Sequence, residues 1–442
     1  MDNNINYRGL VVGVNTPIPL SNGEYVTGIN FDNAATTPPF TSVLQAVNNF
    51  SPLYSSIHRG TGYKSQYSSD FYDNSREIIG SFVKADLDTN TVIYVKNATE
   101  AINKLSNRLY SNSHKNVVFS TEMEHHSNDL PWRSNYEVSY IAVDSNGRLS
   151  LKSLEYKLRE YKDRVKLVAV SGASNVTGYL NPIHEIAEIA HKYRAKILVD
   201  GAQLVPHAEL DMKPDSSPQH IDYLVFSAHK MYAPFGIGVL IGPKEVFLRG
   251  EPDYKGGGTI QMVTHDYIRW ADVPERDEAG TPNVIGVIAL VEAIKTFNNI
   301  GMINIEKKEK ALTEYALNKL KSVPGIQLYG NTADCSDRLG IIPFNIKDIS
   351  HRMVATILSY EFGIAVRNGC FCAQPYVQKL LDIPKKEIRK RIRYNDLPHP
   401  GMVRISFGVY NTQEEVDVLI NALIQIYKRS EYYLEKYKSI KE

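Results

Sequence analysis

From about residue 75 the chain alternates short apolar runs with amphipathic stretches, the rhythm of strands joined by crossover helices. TVIYV (91–95), NVVFS (116–120), YEVSYIAV (136–143), VKLVAVS (165–171), KILVD (196–200), YLVFS (223–227) and GIGVLIG (236–242) read as strands. ATEAINKLSNRLY follows the first of them as a helix, and HEIAEIAHKYRA has the i, i+3, i+4 apolar spacing of a helix lying on a sheet. Strands alternating with helices predict a mainly parallel sheet covered on both faces. In such sheets ligands sit beyond the carboxyl ends of the strands, so the residues just after each run carry the most interest.

The pattern changes after TPNVIGVIALVEAIKTF, a long helical stretch. GIQLYG, IIPFNI, FGIAVRNG and MVRISFGVY read as strands of a smaller, partly antiparallel sheet, flanked by helices such as TQEEVDVLINALIQIYKRSEYYLEKY. The expected organisation is α/β: a large domain over residues 21–295, and a smaller one over 296–442 joined by residues 1–20.

Composition narrows the function classes. With 442 residues, 43% hydrophobic and 22% charged, the chain is long enough for such a two-domain globular protein. A formal net charge of +1 provides no global field to draw nucleic acid or an anionic membrane. No apolar run reaches the length of a membrane helix. The opening MDNNINYRGLVVGVNTP has an acid where a signal peptide has basic residues, so a cytoplasmic location is expected. The three cysteines, Cys335, Cys370 and Cys372, are too few for a disulfide scaffold. No set of ligands at zinc-site spacing is visible, and no metal is expected.

Two segments concentrate chemistry. KILVDGAQ ends a strand in Asp200, where a carboxylate can pair with the pyridinium nitrogen of a cofactor and keep its ring an electron sink. An isolated Val-Asp-Gly is more often a strand end capping a turn. YLVFSAHKMYAPFGIGVLIG shifts the balance, because Ser227, His229 and Lys230 follow the next strand directly. A lysine there can form a Schiff base while a hydroxyl and an imidazole hold a phosphate.

Together with DNAATT, TEMEHHSN, SNVTG, EAGTPN and RNGCFCAQP, these segments resemble the cysteine desulfurases of the class V aminotransferase fold, in the branch that mobilises sulfur for Fe–S clusters. The resemblance runs from about residue 28 to 428. It implies the pyridoxal-phosphate-dependent transferase fold (aspartate-aminotransferase-like, type I) and pyridoxal 5'-phosphate as cofactor. Lys230 would carry the cofactor as a Schiff base and shuttle protons, Asp200 would pair with the ring nitrogen, and Gln203 would bond the phenolic oxygen. His125 would stack on the ring and, as a catalytic residue, assist proton transfer. Thr99, at the start of a helix whose free N–H groups favour an anion, would bind phosphate with Ser227 and His229.

For the substrate, the resemblance assigns Arg404 to the α-carboxylate, a task suited to a planar guanidinium. Asn175 and Asn33 would add hydrogen bonds near the ring and carboxylate, and Arg367 would lie near the reacting end. An Arg in a strand is otherwise often a salt-bridge partner. His58, Arg59 and Thr281 match segments that reach the site from a neighbouring subunit, which implies a homodimer.

Cys372, in RNGCFCAQP between Gly369 and Pro375, falls at the desulfurase nucleophile position. Its thiolate would take sulfur from the amino acid, leaving a persulfide and alanine. The plain alternative is a small buried cysteine. Cys370 departs from the pattern and could relay sulfur, form a local disulfide or do nothing. So does the insert over 384–402, whose Lys385, Lys386, Arg389, Lys390, Arg391 and Arg393 form either a solvated face or a dock for an acidic sulfur-acceptor protein. Segment 259–276 matches poorly as well. The expected reaction is desulfuration of L-cysteine. Other class V reactions (cystine or selenocysteine lyase, aminotransferase, epimerase) share the cofactor residues, and a non-catalytic relative is the third reading.

Overall fold

The seven apolar runs form one sheet. In the computed structural model, which describes residues 5–111, 113–394, 397 and 399–438, they become β1 (Asn90–Val95), β2 (Val117–Thr121), β3 (Glu137–Ile141), β4 (Val165–Ser171), β5 (Lys196–Asp200), β6 (Tyr223–Ser227) and β7 (Gly238–Pro243). Their order across the sheet is β1-β7-β6-β5-β4-β2-β3. The pairs from β6 across to β3 are parallel, while β7 runs antiparallel to both β1 and β6. β7 can reverse because a short turn, with no crossover helix, links it to β6.

The sheet is buried on both faces, as its unbroken apolar runs require. Alternate residues of one strand enter different cores: Val92 and Tyr94 join Phe119, Val199 and Phe226 on one side, while Ile93 and Val95 join Val118, Leu198 and Val225 on the other. The helix Val284–Ile300 is buried around most of its circumference, packed against the helices Thr41–Phe50 and Tyr63–Phe82. That position explains why its sequence is apolar without a clear stripe.

The second sheet contains β8 (Ile326–Leu328), β9 (Ile341–Ile346), β10 (Arg367–Gly369) and β11 (Met402–Ser406), in the order β8-β9-β11-β10. It is antiparallel throughout. FGIAVRNG divides where a single strand was expected: Ile364–Ala365 pairs in parallel with Ile29–Asn30, and only Arg367–Gly369 joins the sheet. Residues 1–20, expected on the smaller domain, touch both halves where described. Arg8 bonds Glu415 at 2.5 Å, whereas Val11 and Val14 pack into the core of the large sheet.

The basic segment forms an exposed helix, Lys385–Arg393, with no buried residue. Asn395, Asp396 and Pro398 of the 384–402 insert lie outside the described residues. Among the described residues no single helix is long and apolar enough to cross a membrane. His191, His220 and Asp222 cluster at the amino edge of the large sheet, where the Lys196 ammonium already sits 2.6 Å from the Asp222 carboxylate.

One close approach sets the active edge of this sheet. The turn leaving β1 passes over Gly238, where a Cβ would lie 2.6 Å from the Cα of Asn97. Only glycine leaves room for that turn, which starts the helix Ala98–Leu109. Gly238→Ala is therefore expected to cost about 1–3 kcal/mol of stability, read as a lower denaturant midpoint. An unchanged midpoint would mean that the Asn97 turn gives way freely.

Candidate active site

The carboxyl ends of β1, β2, β4, β5 and β6 surround a cavity of about 210 Å³. Each strand delivers its residues at its carboxyl end or within a few positions of it. β1 leads to Asn97 and Thr99, β2 to His125, and β4 to Asn175. β5 ends on Asp200 and continues to Gln203, and β6 gives Ser227, His229 and Lys230. The small sheet contributes Arg367 and Arg404, and the loop after β10 contributes Cys372. Eleven of the fifteen residues singled out in the sequence thus share one cavity: Thr99, His125, Asn175, Asp200, Gln203, Ser227, His229, Lys230, Arg367, Cys372 and Arg404.

At one end the Ala98–Leu109 helix presents its amino terminus. Its cap is Asn97, whose side chain accepts from the Glu100 N–H, while the Ala98 N–H donates to the Ser227 hydroxyl at 2.8 Å. Thr99 is therefore the second helical residue and not the cap. Its hydroxyl is 2.7 Å from Ser127 Oγ. Two hydroxyls, the Thr99 N–H and a positive dipole end make an anion cradle.

At the other end Asp200 is buried, its carboxylate accepting the Ala202 N–H at 3.0 Å. Burial raises its carboxyl above the usual range, against the pull of Lys230. Such a carboxylate is suited to a buried cationic partner. Burial also brings the Lys230 ammonium down to about 8, with Asp200 opposing. An amine so close to neutrality can act as nucleophile or base.

His125 lines the wall between them. Its Nδ1 accepts from the Ser127 N–H, so the ring proton sits on Nε2. Burial, with Lys230 and His126 adding to it, pushes the imidazolium down to about 3. Burial and Lys230 likewise bring His229 to about 4. Both rings are neutral at pH 7. Behind His125, the buried Glu124 accepts from Thr121, Ser171 and Asn128 and locks β2 to β4.

Arg404 is almost fully buried, yet it keeps its charge: burial lowers it to about 10, opposed by Asp32. It donates to the Asn175 carbonyl at 2.8 Å and to Asp32 at 3.1 Å, and the Phe371 ring lies 4.9 Å from its guanidinium. Cys372 is exposed at the mouth. Its loop is pinned: the His126 N–H donates to the Cys372 carbonyl at 2.7 Å, and the Asn175 side chain donates to the Phe371 carbonyl at 2.6 Å. Phe371 and Cys372 are held at φ 53° and 54°, a left-handed pair of non-glycine residues. Cys370 points elsewhere, into a small core with Leu149, Tyr376 and Val377.

Four expected residues are not in the cavity. Asn33 is the clearest correction. Its amide donates to the carbonyls of Asn30 and Ser406 and to Asn411, and its oxygen accepts from Tyr410, so it joins the N-terminal segment to the small sheet and has nothing left for a substrate. His58, Arg59 and Thr281 are exposed outside the cavity, with His58 3.0 Å from Asp73. Sequence reading missed Asn97, Asp32, Ser127, His126 and Phe371. Asn97 was within reach, because an Asn before ATEAIN is a cap signal; the other roles depend on contacts made across the fold.

The donor set fits pyridoxal phosphate. The anion cradle suits a phosphate, and Asp200 suits a pyridinium. The Oε1 of Gln203, in the cavity wall between them, is buried without a hydrogen-bond partner, as expected of an amide end left for a ligand.

The chain is similar to known proteins over most of its length. A model of the family described as Aminotransferase class-V matches residues 29–419. A probable cysteine desulfurase of Halalkalibacterium halodurans is 36% identical over 414 residues, covering 92% of this chain and 94% of that protein. One of Staphylococcus aureus is 37% identical over 405 residues, covering 89% and 91%. The apo structure of a cysteine desulfurase from Thermococcus onnurineus superposes with a TM-score of 0.80 at 32% identity, covering 91% and 95%. The chain therefore belongs to the aminotransferase class-V family and uses pyridoxal phosphate as its cofactor.

Proposed function

We propose that this protein is a cysteine desulfurase that takes sulfur from L-cysteine, releases alanine and holds the sulfur as a persulfide on Cys372. The observation that carries this reading is an exposed thiol in the wall of the cavity that also contains Lys230 and Arg404. The designation of its relatives points the same way.

Pyridoxal phosphate, when bound, supplies a carbonyl for the substrate amine and an electron-withdrawing ring for the charge left at Cα. Thr99, Ser227, His229 and the helix N-terminus would hold its phosphate, Asp200 its ring nitrogen, Gln203 its phenolic oxygen, and His125 one face of the ring. Lys230 would carry the cofactor between turnovers. In turnover Arg404 fixes the α-carboxylate and Lys230, near neutrality through burial, takes the α-proton. Cys372 Sγ then bonds to the substrate sulfur as the Cβ–S bond breaks. The electron pair stays with the carbon skeleton, which picks up a proton and leaves as alanine.

The assembly we propose is a cytoplasmic homodimer. His58, Arg59 and Thr281 are exposed outside their own cavity, and the hairpin Ile260–Val263/Ile268–Trp270 exposes Met262, Val263, Tyr267 and Ile268, a patch that suits burial against a second copy. The exposed basic helix Lys385–Arg393 suits an acidic sulfur-acceptor protein.

Cys372→Ala should bind L-cysteine but lose sulfur release by about 10²-fold or more. Cys370→Ala should keep most of the turnover, because that side chain is packed away from the cavity. Mass spectrometry after a short incubation with L-cysteine should find one added sulfur on the Cys372 peptide. Full sulfur release by Cys372→Ala would instead identify a lyase, and a keto acid formed in step with pyridoxamine phosphate an aminotransferase. For the dimer, mixing inactive Lys230→Ala with Thr281→Ala subunits should restore activity through hybrid sites; a fully active monomer would overturn this arrangement.

A further inference from the structure

Arg367 and Arg404 face each other directly across the β10–β11 pair. Like charges so placed repel, and both line the cavity. Two arginines in one pocket would suit a substrate with two carboxylates. A third residue changes that count. Asp32 Oδ1 accepts from Arg404 Nη2 at 3.1 Å, and its Oδ2 lies 3.6 Å from Arg367 Nη1.

Asp32 is held there by backbone. It bridges in parallel to Ser406, two residues along the strand from Arg404, its N–H donates to Asn30 Oδ1, and the Ser406 N–H donates to the Phe31 carbonyl. The acid and the buried arginine thus move as one unit.

We propose that Asp32 sets the substrate class: by bridging Arg404 and Arg367 it leaves the pair with one net positive charge, so that the pocket takes amino acids with a single carboxylate and an uncharged side chain and turns dicarboxylic ones away. Of the neighbouring groups, Lys230 is taken up by the cofactor in the holoenzyme, and Cys372 faces Arg404 from the mouth of the cavity in every variant alike. His125 and His229 are neutral, and Asp200 is committed to the cofactor ring at the far end. A second substrate carboxylate approaching Arg367 would meet the Asp32 carboxylate as well, a like charge 3.6 Å from that guanidinium. Asp32 is thus a specificity-determining residue, and this role rests on the reading of Arg404 as the carboxylate site.

The test is calorimetric titration of the holoenzyme with L-alanine, which has one carboxylate, and L-aspartate, which has two. Asp32→Asn is expected to shift the ratio of the two Kd values towards L-aspartate by about tenfold or more. Asp32→Glu, which keeps the charge, should keep the wild-type preference. An unchanged ratio in a folded Asp32→Asn that still binds L-alanine would overturn the inference. Should Asp32→Asn fail to fold, Arg367→Gln reads the same balance by removing a positive charge: both ligands should weaken by about tenfold, and unchanged binding of both would overturn it. Arg404→Lys separates the two claims. If it leaves L-alanine binding unchanged, the carboxylate site itself is misplaced and the inference falls with it. If it weakens L-alanine while Asp32→Asn leaves the ratio alone, only the role of Asp32 falls.

Discussion

The site depends on a lysine amine enclosed opposite a buried carboxylate at the carboxyl edge of a parallel sheet. Enclosure works on both groups at once: it lowers Lys230 towards neutrality and raises Asp200. Neither environment is comfortable, and each is held by the strand behind it, β6 for the lysine and β5 for the acid. A cationic heterocycle between them relieves the carboxylate, and a carbonyl beside the lysine uses the free amine. The same enclosure keeps His125 and His229 uncharged, so the cavity offers hydrogen bonds and a ring face without adding cations to the two arginines.

Much of this was legible from sequence because it is local. VKLVAVS, KILVD and YLVFS became strands over those same residues, and the chemistry of Asp200, Ser227, His229 and Lys230 follows from standing at or just beyond their carboxyl ends. Parallel order then brings separate strand ends to one edge. What was not legible depends on contacts between distant segments. Asn33 sits in a motif that suggested the substrate, but its amide is consumed by Ser406 and Asn411, more than 370 residues away. FGIAVRNG reads as one strand, yet Ile364–Ala365 is claimed by the N-terminal segment. His126, beside the expected His125, clamps the Cys372 loop across the domain junction.

That clamp bears on how a thiol could serve two partners. Phe371 and Cys372 are held in a left-handed conformation that costs non-glycine residues about 1–3 kcal/mol each. Hydrogen bonds from His126 and Asn175 and the packing of Phe371 over Arg404 offset that cost. Asn175 and Arg404 line the cavity themselves, and His126 stands next to His125 in its wall. Cys370, packed in its own small core, anchors the near end of the loop.

The central claim is that Lys230 is the residue to which the cofactor is bonded. Borohydride reduction of the purified holoenzyme followed by peptide mapping tests it most directly. A pyridoxyl group is expected on Lys230 alone. A label on any other lysine, or freshly purified protein with no cofactor to fix, would contradict it.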